Sequence, residues 1–255
     1  MIDLSLEAIA LLVLAAFAAG WIDAVSGGGG LIQLPALLLV FPESATVTAM
    51  GTNKTSSIIG TSAAVTTYAR AHRPDWPLAR RLMALAFVAS GCGSYLATRL
   101  STDFLRPVVF GVLLAVWVYT IVRKPVMDRE VYEATHRVRA MALAVGIGFY
   151  DGLIGPGTGS FLLFGFVAFV GLTFLGASVA AKLVNWATNL ASIAIFGATG
   201  HIFWALGLGM GVANAAGGYL GARTAIARGS AFVRAVFLAV TFALLVRLGW
   251  SLAAG

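Results

Sequence analysis

The sequence predicts an all-α polytopic membrane protein built from two inverted-topology repeats. Three observations predict this fold class: a very apolar composition, a match between the two halves of the chain, and basic loops at opposite positions in the two halves. Of the 255 residues, 60% are hydrophobic and 11% are charged, whereas an average soluble chain is about 25% charged. With a mean hydropathy of +0.93, this composition excludes a soluble enzyme. Apolar runs of helical length favour helices over a β-barrel.

The two halves of the chain match at an offset of 128 residues. We therefore predict a first transmembrane repeat at 1–125, a basic linker at 126–138 and a second transmembrane repeat at 139–255. A four-residue slip then aligns Gly93 with Gly217. The uncommon residues that coincide without a slip are Asp23 with Asp151, Gly27 with Gly155, Lys54 with Lys182, and Trp76 with Trp204.

Each repeat contains five apolar segments of helical length. The second segment of each repeat is too short to cross a hydrocarbon core of about 30 Å. It follows a glycine cluster, Gly27–Gly30 in one repeat and Gly155–Gly159 in the other, so we predict broken or re-entrant Gly-rich hairpins; the alternative is a loop at the membrane surface. The segments are 5–25, 30–42, 45–69, 82–100 and 104–122, then 139–153, 159–174, 176–197, 202–222 and 231–250.

The loop charges give the orientation of the repeats. Loops 70–81 and 123–139 are rich in arginine and are separated by two helices, which predicts that both lie in the cytoplasm. Loop 198–202 corresponds to the first of them and has no Lys or Arg, so the pattern inverts between the halves. Both termini are then on the non-cytoplasmic side. Because the net charge of +7 is concentrated in such loops, it does not indicate a nucleic-acid partner.

Four ionisable residues remain inside the apolar segments: Asp23, Lys54, Asp151 and Lys182. A charge within a bilayer is costly, so such residues face a cavity or one another. We expect the lysines to bind an anionic substrate, and the aspartates to form ion pairs with them or to carry protons in a coupled cycle. The alternative is two purely structural Asp–Lys ion pairs.

Neutral polar groups accompany the lysines. Lys182, Asn185 and Asn189 share one helix face at spacing i, i+3, i+7. In the first repeat, Asn53 precedes Lys54 and Ser57 aligns with Asn185. We predict that this stripe contacts substrate, although small polar residues also join helices. Glycine breaks at helix starts present free N–H groups to a small oxyanion, which adds to the site the candidates Gly28, Gly29, Gly157 and Thr158.

Enzymatic motifs are missing from the sequence. One cysteine, Cys92, and three histidines do not make a legible metal site. A Walker A sequence, a dinucleotide fingerprint, GxSxG and HExxH are also absent. We therefore predict no catalytic residue, no cofactor and no enzymatic activity. The alternatives from other functional classes are an intramembrane enzyme and an anion channel.

The run Gly27–Pro35, followed by Gly51-Thr52-Asn53-Lys54, resembles the TauE/SafE sulfite exporter family and its 4-toluene sulfonate uptake permease-like members. The likeness covers nearly the whole chain, but in the second half Val179, Ala180 and Ala181 stand where the motif has Gly51, Thr52 and Asn53. The resemblance implies a secondary transporter in the lipid bilayer of a bacterial inner membrane. It implies movement of sulfite, sulfoacetate or related sulfur-containing organic anions. Our main hypothesis is an exporter of such anions that works by alternating access between the two inverted repeats, and the alternative is a transporter of another small organic anion. The anion, the direction and the oligomeric state stay open.

Overall fold

The structure of the protein is a computed structural model that describes residues 5–41, 45–99 and 134–253. Within these ranges the chain forms helices joined by short turns and contains no strand. The predicted helical segment 104–122 and most of the predicted linker lie outside the described residues. The elements are α1 (Leu6–Ser26), α2 (Gly30–Val40), α3 (Thr46–Ala71), α4 (Trp76–Ala97), α5 (Ala134–Leu153), α6 (Thr158–Gly165), a π-helical turn (Phe166–Val170), α7 (Phe174–Ala198) and α8 (Trp204–Ala253).

The helix α4 begins six residues earlier than the predicted segment 82–100. The Asp75 side chain accepts a hydrogen bond from the Leu78 amide at 3.2 Å, and Pro77 occupies the first turn. Both are signals of a helix start, which the count of apolar residues overlooks. Arg80 and Arg81 therefore belong to the helix, and the connection from α3 is short.

The last two predicted segments, 202–222 and 231–250, fall in one helix, α8, which begins at Trp204. Gly229 between them has φ of 70° and ψ of −171°. This conformation is accessible to glycine and rare for other residues. The helix is therefore kinked at Gly229, between the two predicted segments.

Glycines end α1 and begin α6. Gly27, with φ of 82°, stops α1 in the left-handed conformation. Gly157, with φ of 84°, immediately precedes α6. The helices that follow are short: α2 has 11 residues, which is about 17 Å, and α6 continues through the π-helical turn only to Val170.

The helices pack across the two halves of the chain. α8 lies against α1 and α3, whereas α4 lies against α5 and α7, and α3 also contacts α7. Glycines allow close approach: a Cβ at Gly20 would collide with the backbone of Asn214, and one at Gly148 would lie 3.0 Å from the backbone of Ala86. Each half of the chain is therefore held mainly by helices of the other half.

Glycines that align between the halves also make close helix contacts. A Cβ at Gly93 would collide with the Phe149 carbonyl oxygen, and one at Gly217 would collide with the Phe17 carbonyl oxygen. A Cβ at Gly221, one turn further along α8, would collide with the Trp21 carbonyl oxygen. Glycines of α4 and α8 therefore pack against the backbones of α5 and α1, respectively.

The outer surface of the described helices is apolar. Leu14 on α1, Val88 on α4 and Val212 on α8 are 68%, 66% and 71% exposed, respectively. Among the described residues, two helices are long and apolar enough to cross a membrane, Leu6–Ser26 and Leu175–Ala198. Polar side chains instead concentrate in the interior, where hydroxyls such as that of Thr55 donate to the carbonyl oxygen four residues earlier.

Candidate functional site

Two buried lysine–aspartate ion pairs join the two halves of the chain. Lys54 Nζ on α3 lies 2.6 Å from Asp151 Oδ1 on α5. Lys182 Nζ on α7 lies 2.6 Å from Asp23 Oδ2 on α1. Each pair takes its lysine from one half and its aspartate from the other, and the two pairs are equivalent at the offset of 128.

The positions of the aspartates on their helices require a positive partner. Asp23 lies in the last turn of α1, and Asp151 lies near the end of α5. The negative end of the helix dipole disfavours a carboxylate there. A buried ammonium ion has the same need for an opposite charge, because desolvation of a single unpaired ion is very costly. Each lysine and aspartate thus makes burial of the other tolerable.

The Lys54–Asp151 pair is closed off from its surroundings. The two side chains are 4% and 2% exposed, respectively. The Thr158 hydroxyl lies 2.6 Å from Asp151 Oδ1 and 2.7 Å from the Gly155 carbonyl oxygen. A Cβ at Gly155 would lie 3.0 Å from Lys54 Nζ, so the glycine gives the ammonium its space. Asp151 Oδ2 is buried without a hydrogen-bond partner among the described residues.

The Lys182–Asp23 pair is more open. Asp23 is 17% exposed, whereas Lys182 is 3% exposed. Lys182 Nζ also donates to the backbone carbonyl oxygen of Asp23. Gly30 occupies the position that corresponds to Thr158, so this carboxylate has no equivalent hydroxyl beside it. The two pairs therefore differ in access even though they are equivalent in sequence.

The two glycine breaks contact each other between the ion pairs. Ser160 donates through its backbone N–H to the Gly27 carbonyl oxygen at 3.1 Å and through its hydroxyl to the Ser26 carbonyl oxygen at 2.8 Å. A Cβ at Gly27 would collide with the backbone of Gly159. The first amides of α6 are thus partly engaged within the protein: Thr158 N donates to Gly155 O as well.

The neutral candidates divide into two groups. Asn189 Nδ2 donates to Asn185 Oδ1 at 3.1 Å, and both residues are buried on the face of α7 that carries Lys182. On α3, Asn53 is buried and its Oδ1 has no partner among the described residues, whereas Ser57 is half-buried. Gly28 and Gly29 lie in the break before α2, where their carbonyl oxygens accept from Leu31, Ile32 and Gln33 amides.

Two further polar residues belong to this interior, and the sequence reasoning missed both. Gln33 on α2 and Asn214 on α8 are 0% and 4% exposed. Asn214 Nδ2 donates to Gln33 Oε1 at 2.6 Å. A search of the apolar segments for uncharged amides as well as for charges would have found them.

A cavity of about 360 Å³ opens beside α7. Its rim includes His72, Arg73 and Asp75, and its wall includes Val179 and Leu183. Leu183 directly follows Lys182 in the sequence. The cavity therefore connects the α3–α4 connection with the helix that carries the second lysine.

Two described residues of the first half that correspond to cavity-lining residues are tightly packed. Thr52 Oγ1 accepts from the Phe203 amide at 3.0 Å, and a Cβ at Gly51 would collide with the His201 carbonyl oxygen. At the offset of 128, Gly51 and Thr52 correspond to Val179 and Ala180, which line the cavity. Val179 and Ala180 thus border a cavity, whereas Gly51 and Thr52 lie in close contact with the chain at His201 and Phe203.

Acidic, histidine and cysteine residues do not cluster in the described part of the chain: no group of three or more could hold a metal ion. The site chemistry is therefore that of two ammonium groups, two carboxylates, amides and hydroxyls in an apolar surround. Such a set suits an anion that is held by charge and by neutral hydrogen bonds.

Residues 12–248 match the family model for the sulfite exporter TauE/SafE. The chain is 35% identical over 252 residues to a probable membrane transporter protein, ORF9, of Sinorhizobium sp, covering 97% of this chain and 95% of the relative. It is 28% identical over 253 residues to a probable membrane transporter protein of Haemophilus influenzae, covering 97% and 98%. It is also 28% identical over 232 residues to the probable membrane transporter protein YfcA of Escherichia coli K12, covering 91% and 86%. No solved structure matches the chain.

Proposed function

Since the chain belongs to the TauE/SafE sulfite exporter family of membrane transporters, we propose that it is a secondary transporter of small sulfur-containing oxyanions such as sulfite or an organosulfonate. The observation that carries this proposal is the pair of buried Lys–Asp contacts, 2.6 Å each, that join the two halves. Two buried ammonium groups beside the glycine breaks can hold a small anion when it joins or displaces the paired carboxylates.

The lysines are the primary anion ligands in this proposal. An ammonium group has three donors, and the ion pair with Asp151 engages Lys54 through one carboxylate oxygen. An oxyanion can join or replace the aspartate at the same nitrogen. The other proposed substrate contacts are Asn53, Ser57, Asn185, Asn189, Gly28, Gly29, Gly157 and Thr158.

Proton coupling belongs to the same proposal. Asp151 Oδ2 has no hydrogen-bond partner among the described residues, so its lone pairs are free to accept a proton. A protonated aspartate no longer neutralises Lys54, and the lysine then attracts the substrate anion more strongly. The more exposed Asp23 has the same relation to Lys182.

Alternating access by two inverted repeats is supported by the equivalent contacts at the offset of 128. Gly20 packs on Asn214 as Gly148 packs on Ala86, and each ion pair has its counterpart in the other half. The difference between the repeats lies at the two ends of the site: a cavity beside Val179 and a closed contact at Thr52. We propose that transport exchanges these two arrangements, with the two-fold axis in the membrane plane.

The location follows the loop charges. We propose a multi-pass protein of the bacterial inner membrane with both termini outside the cytoplasm. The connection at His72–Asp75, which borders the cavity, then faces the cytoplasm. We propose that the cavity faces the cytoplasm and that the glycine breaks lie near mid-membrane as re-entrant hairpins.

The test is transport by the purified protein in liposomes. We expect saturable uptake of labelled sulfite, counterflow when the vesicles are preloaded with unlabelled sulfite, and loss of both in Lys54→Met and in Lys182→Met. A protein that folds but gives non-saturating flux without counterflow would be an anion channel. A folded protein that moves none of sulfite, sulfate, thiosulfate, sulfoacetate or taurine would refute the proposal.

A further inference from the structure

A cluster of four buried neutral polar side chains lies on and around α3, the helix that carries Lys54. None of them exposes more than 5% of its surface. They are distinct from the two ion pairs and come from three helices. The polar cluster consists of Gln33 on α2, Asn53 and Ser56 on α3, and Asn214 on α8.

The helix register brings these side chains together. Asn53, Ser56 and Gly60 share one face of α3 at spacing i, i+3, i+7. A Cβ at Gly60 would collide with Asn214 Oδ1, and Asn214 Nδ2 donates to Gln33 Oε1 at 2.6 Å. The Gln33–Asn214 amide pair therefore lies on the face of α3 from which Ser56 and Asn53 project.

Three groups of the polar cluster have no hydrogen-bond partner. Among the described residues, Gln33 Nε2, Asn53 Oδ1 and Ser56 Oγ are all buried and unsatisfied. Buried polar groups in folded proteins are nearly always paired, because an unpaired one loses its hydration without compensation. Gln33 Nε2 requires an acceptor, Asn53 Oδ1 requires a donor, and the Ser56 hydroxyl can bond to either.

The residues that correspond to the polar cluster at the offset of 128 are all apolar. At the offset of 128, Asn53 and Ser56 correspond to Ala181 and Val184. Gln33 and Asn214 correspond to Phe161 and Ala86, and all four counterparts are buried. Helix packing in this fold therefore does not itself require polar groups at these positions. The unpaired amides and hydroxyl are specific to one side of the site.

We propose that the polar cluster binds the hydroxyl group of an organic sulfonate whose anionic head lies at Lys54. This inference rests on the proposed function and names its substrate class. A hydroxyl group supplies both a donor for Asn53 Oδ1 and an acceptor for Gln33 Nε2. An unsubstituted alkanesulfonate supplies acceptors alone, and an ammonium group supplies donors alone.

The test compares two anions that differ by one hydroxyl, 2-hydroxyethanesulfonate and ethanesulfonate, as competitors of sulfite uptake in liposomes. We expect the wild-type protein to prefer the hydroxylated anion by about tenfold or more, because a site built to bond a hydroxyl rejects the analogue without it. Ser56→Ala and Asn53→Leu should each reduce this ratio toward one. Ser56→Ala removes an unpaired hydroxyl and changes little volume, so size exclusion should show a folded protein.

The matched control is Ser90→Ala. Ser90 is a buried helical serine whose hydroxyl is already bonded to the Thr188 carbonyl oxygen at 3.0 Å, and its variant should keep the wild-type ratio. Equal competition by the two sulfonates, or a preference that survives both Ser56→Ala and Asn53→Leu, would overturn the inference and leave a trapped water as the occupant. Sulfite transport without competition from either sulfonate would overturn the inference but not the proposed function. A wild-type protein that transports none of the three anions would overturn both.

Discussion

The Lys54–Asp151 pair gives the sharpest prediction of stability. At the observed 2.6 Å between Nζ and Oδ1, an effective dielectric constant of about 20 corresponds to about 6 kcal/mol of attraction. Desolvation of both ions offsets much of this in the intact pair. In Asp151→Asn the attraction is lost, but Lys54 is still buried and charged. We therefore expect a loss of about 3–5 kcal/mol in the free energy of unfolding.

The matched comparison is Asp23→Asn, the same substitution in the Lys182–Asp23 pair. Asp23 is 17% exposed, and Lys182 also donates to its backbone carbonyl oxygen, which Asp23→Asn preserves. That substitution should cost about 1–3 kcal/mol. The double variant Lys54→Met/Asp151→Leu removes both charges and fills the space with hydrocarbon, so it should be near the wild-type stability or above it.

The assay is equilibrium unfolding in mixed micelles with increasing fractions of a denaturing detergent. Lys54→Met, Asp151→Leu and their double variant form a cycle, and Asp151→Asn is compared directly with Asp23→Asn. Two results would refute the reasoning. One is a double variant that is as unstable as Asp151→Asn or less stable. The other is an Asp23→Asn variant that loses more stability than Asp151→Asn.

Three other predictions test the backbone and the closed side of the site. Gly27→Ala should prevent folding, because the added Cβ would collide with backbone and φ is left-handed at 82°. Gly171→Ala, with φ of 81° in open space, should lower the free energy of unfolding by only about 1–2 kcal/mol. Equal yields of folded protein from the two variants would contradict this. Tyr68→Phe should cost about 1 kcal/mol through loss of the 2.8 Å bond to a backbone carbonyl oxygen, measured by the same unfolding assay, and an unchanged stability would argue against that bond. In a Cys92→Ser background, the substitutions Thr52→Cys and Phe203→Cys should form a disulfide that stops transport until it is reduced. Full transport by the oxidised protein would contradict a functional role for the contact between Thr52 and Phe203.

The helical class and the family were predictable because both are recorded locally in the sequence. Composition and the lengths of the apolar runs predict helices, and the structure confirms an all-helical chain in its described ranges. The motif Gly51-Thr52-Asn53-Lys54 carries the resemblance, which the family match confirms. Helix starts were less predictable, since the Asp75 cap that begins α4 is a signal of one residue among many apolar ones.

The arrangement of the candidate site could be predicted only in part. Intramembrane charge is unusual enough to single out Lys54 and Asp151, but their pairing across the halves depends on tertiary packing. Nor does a linear sequence tell which buried amides find partners. Asn185 and Asn189 bond each other, whereas Asn53 Oδ1 has no partner among the described residues. The role of these residues in substrate binding stays a prediction for the transport experiments.

The cross-half ion pairs also constrain how the protein is made. Asp151 follows Lys54 by about a hundred residues, so at about 5–20 residues per second the ribosome needs roughly 5–20 s to deliver the partner of that lysine. During this interval Asp23 and Lys54 wait in the newly made half without the charges that neutralise them. Until the second half is made, the two groups must be hydrated or paired with each other. The final ion pairs of the first half therefore form only after the second half has been delivered.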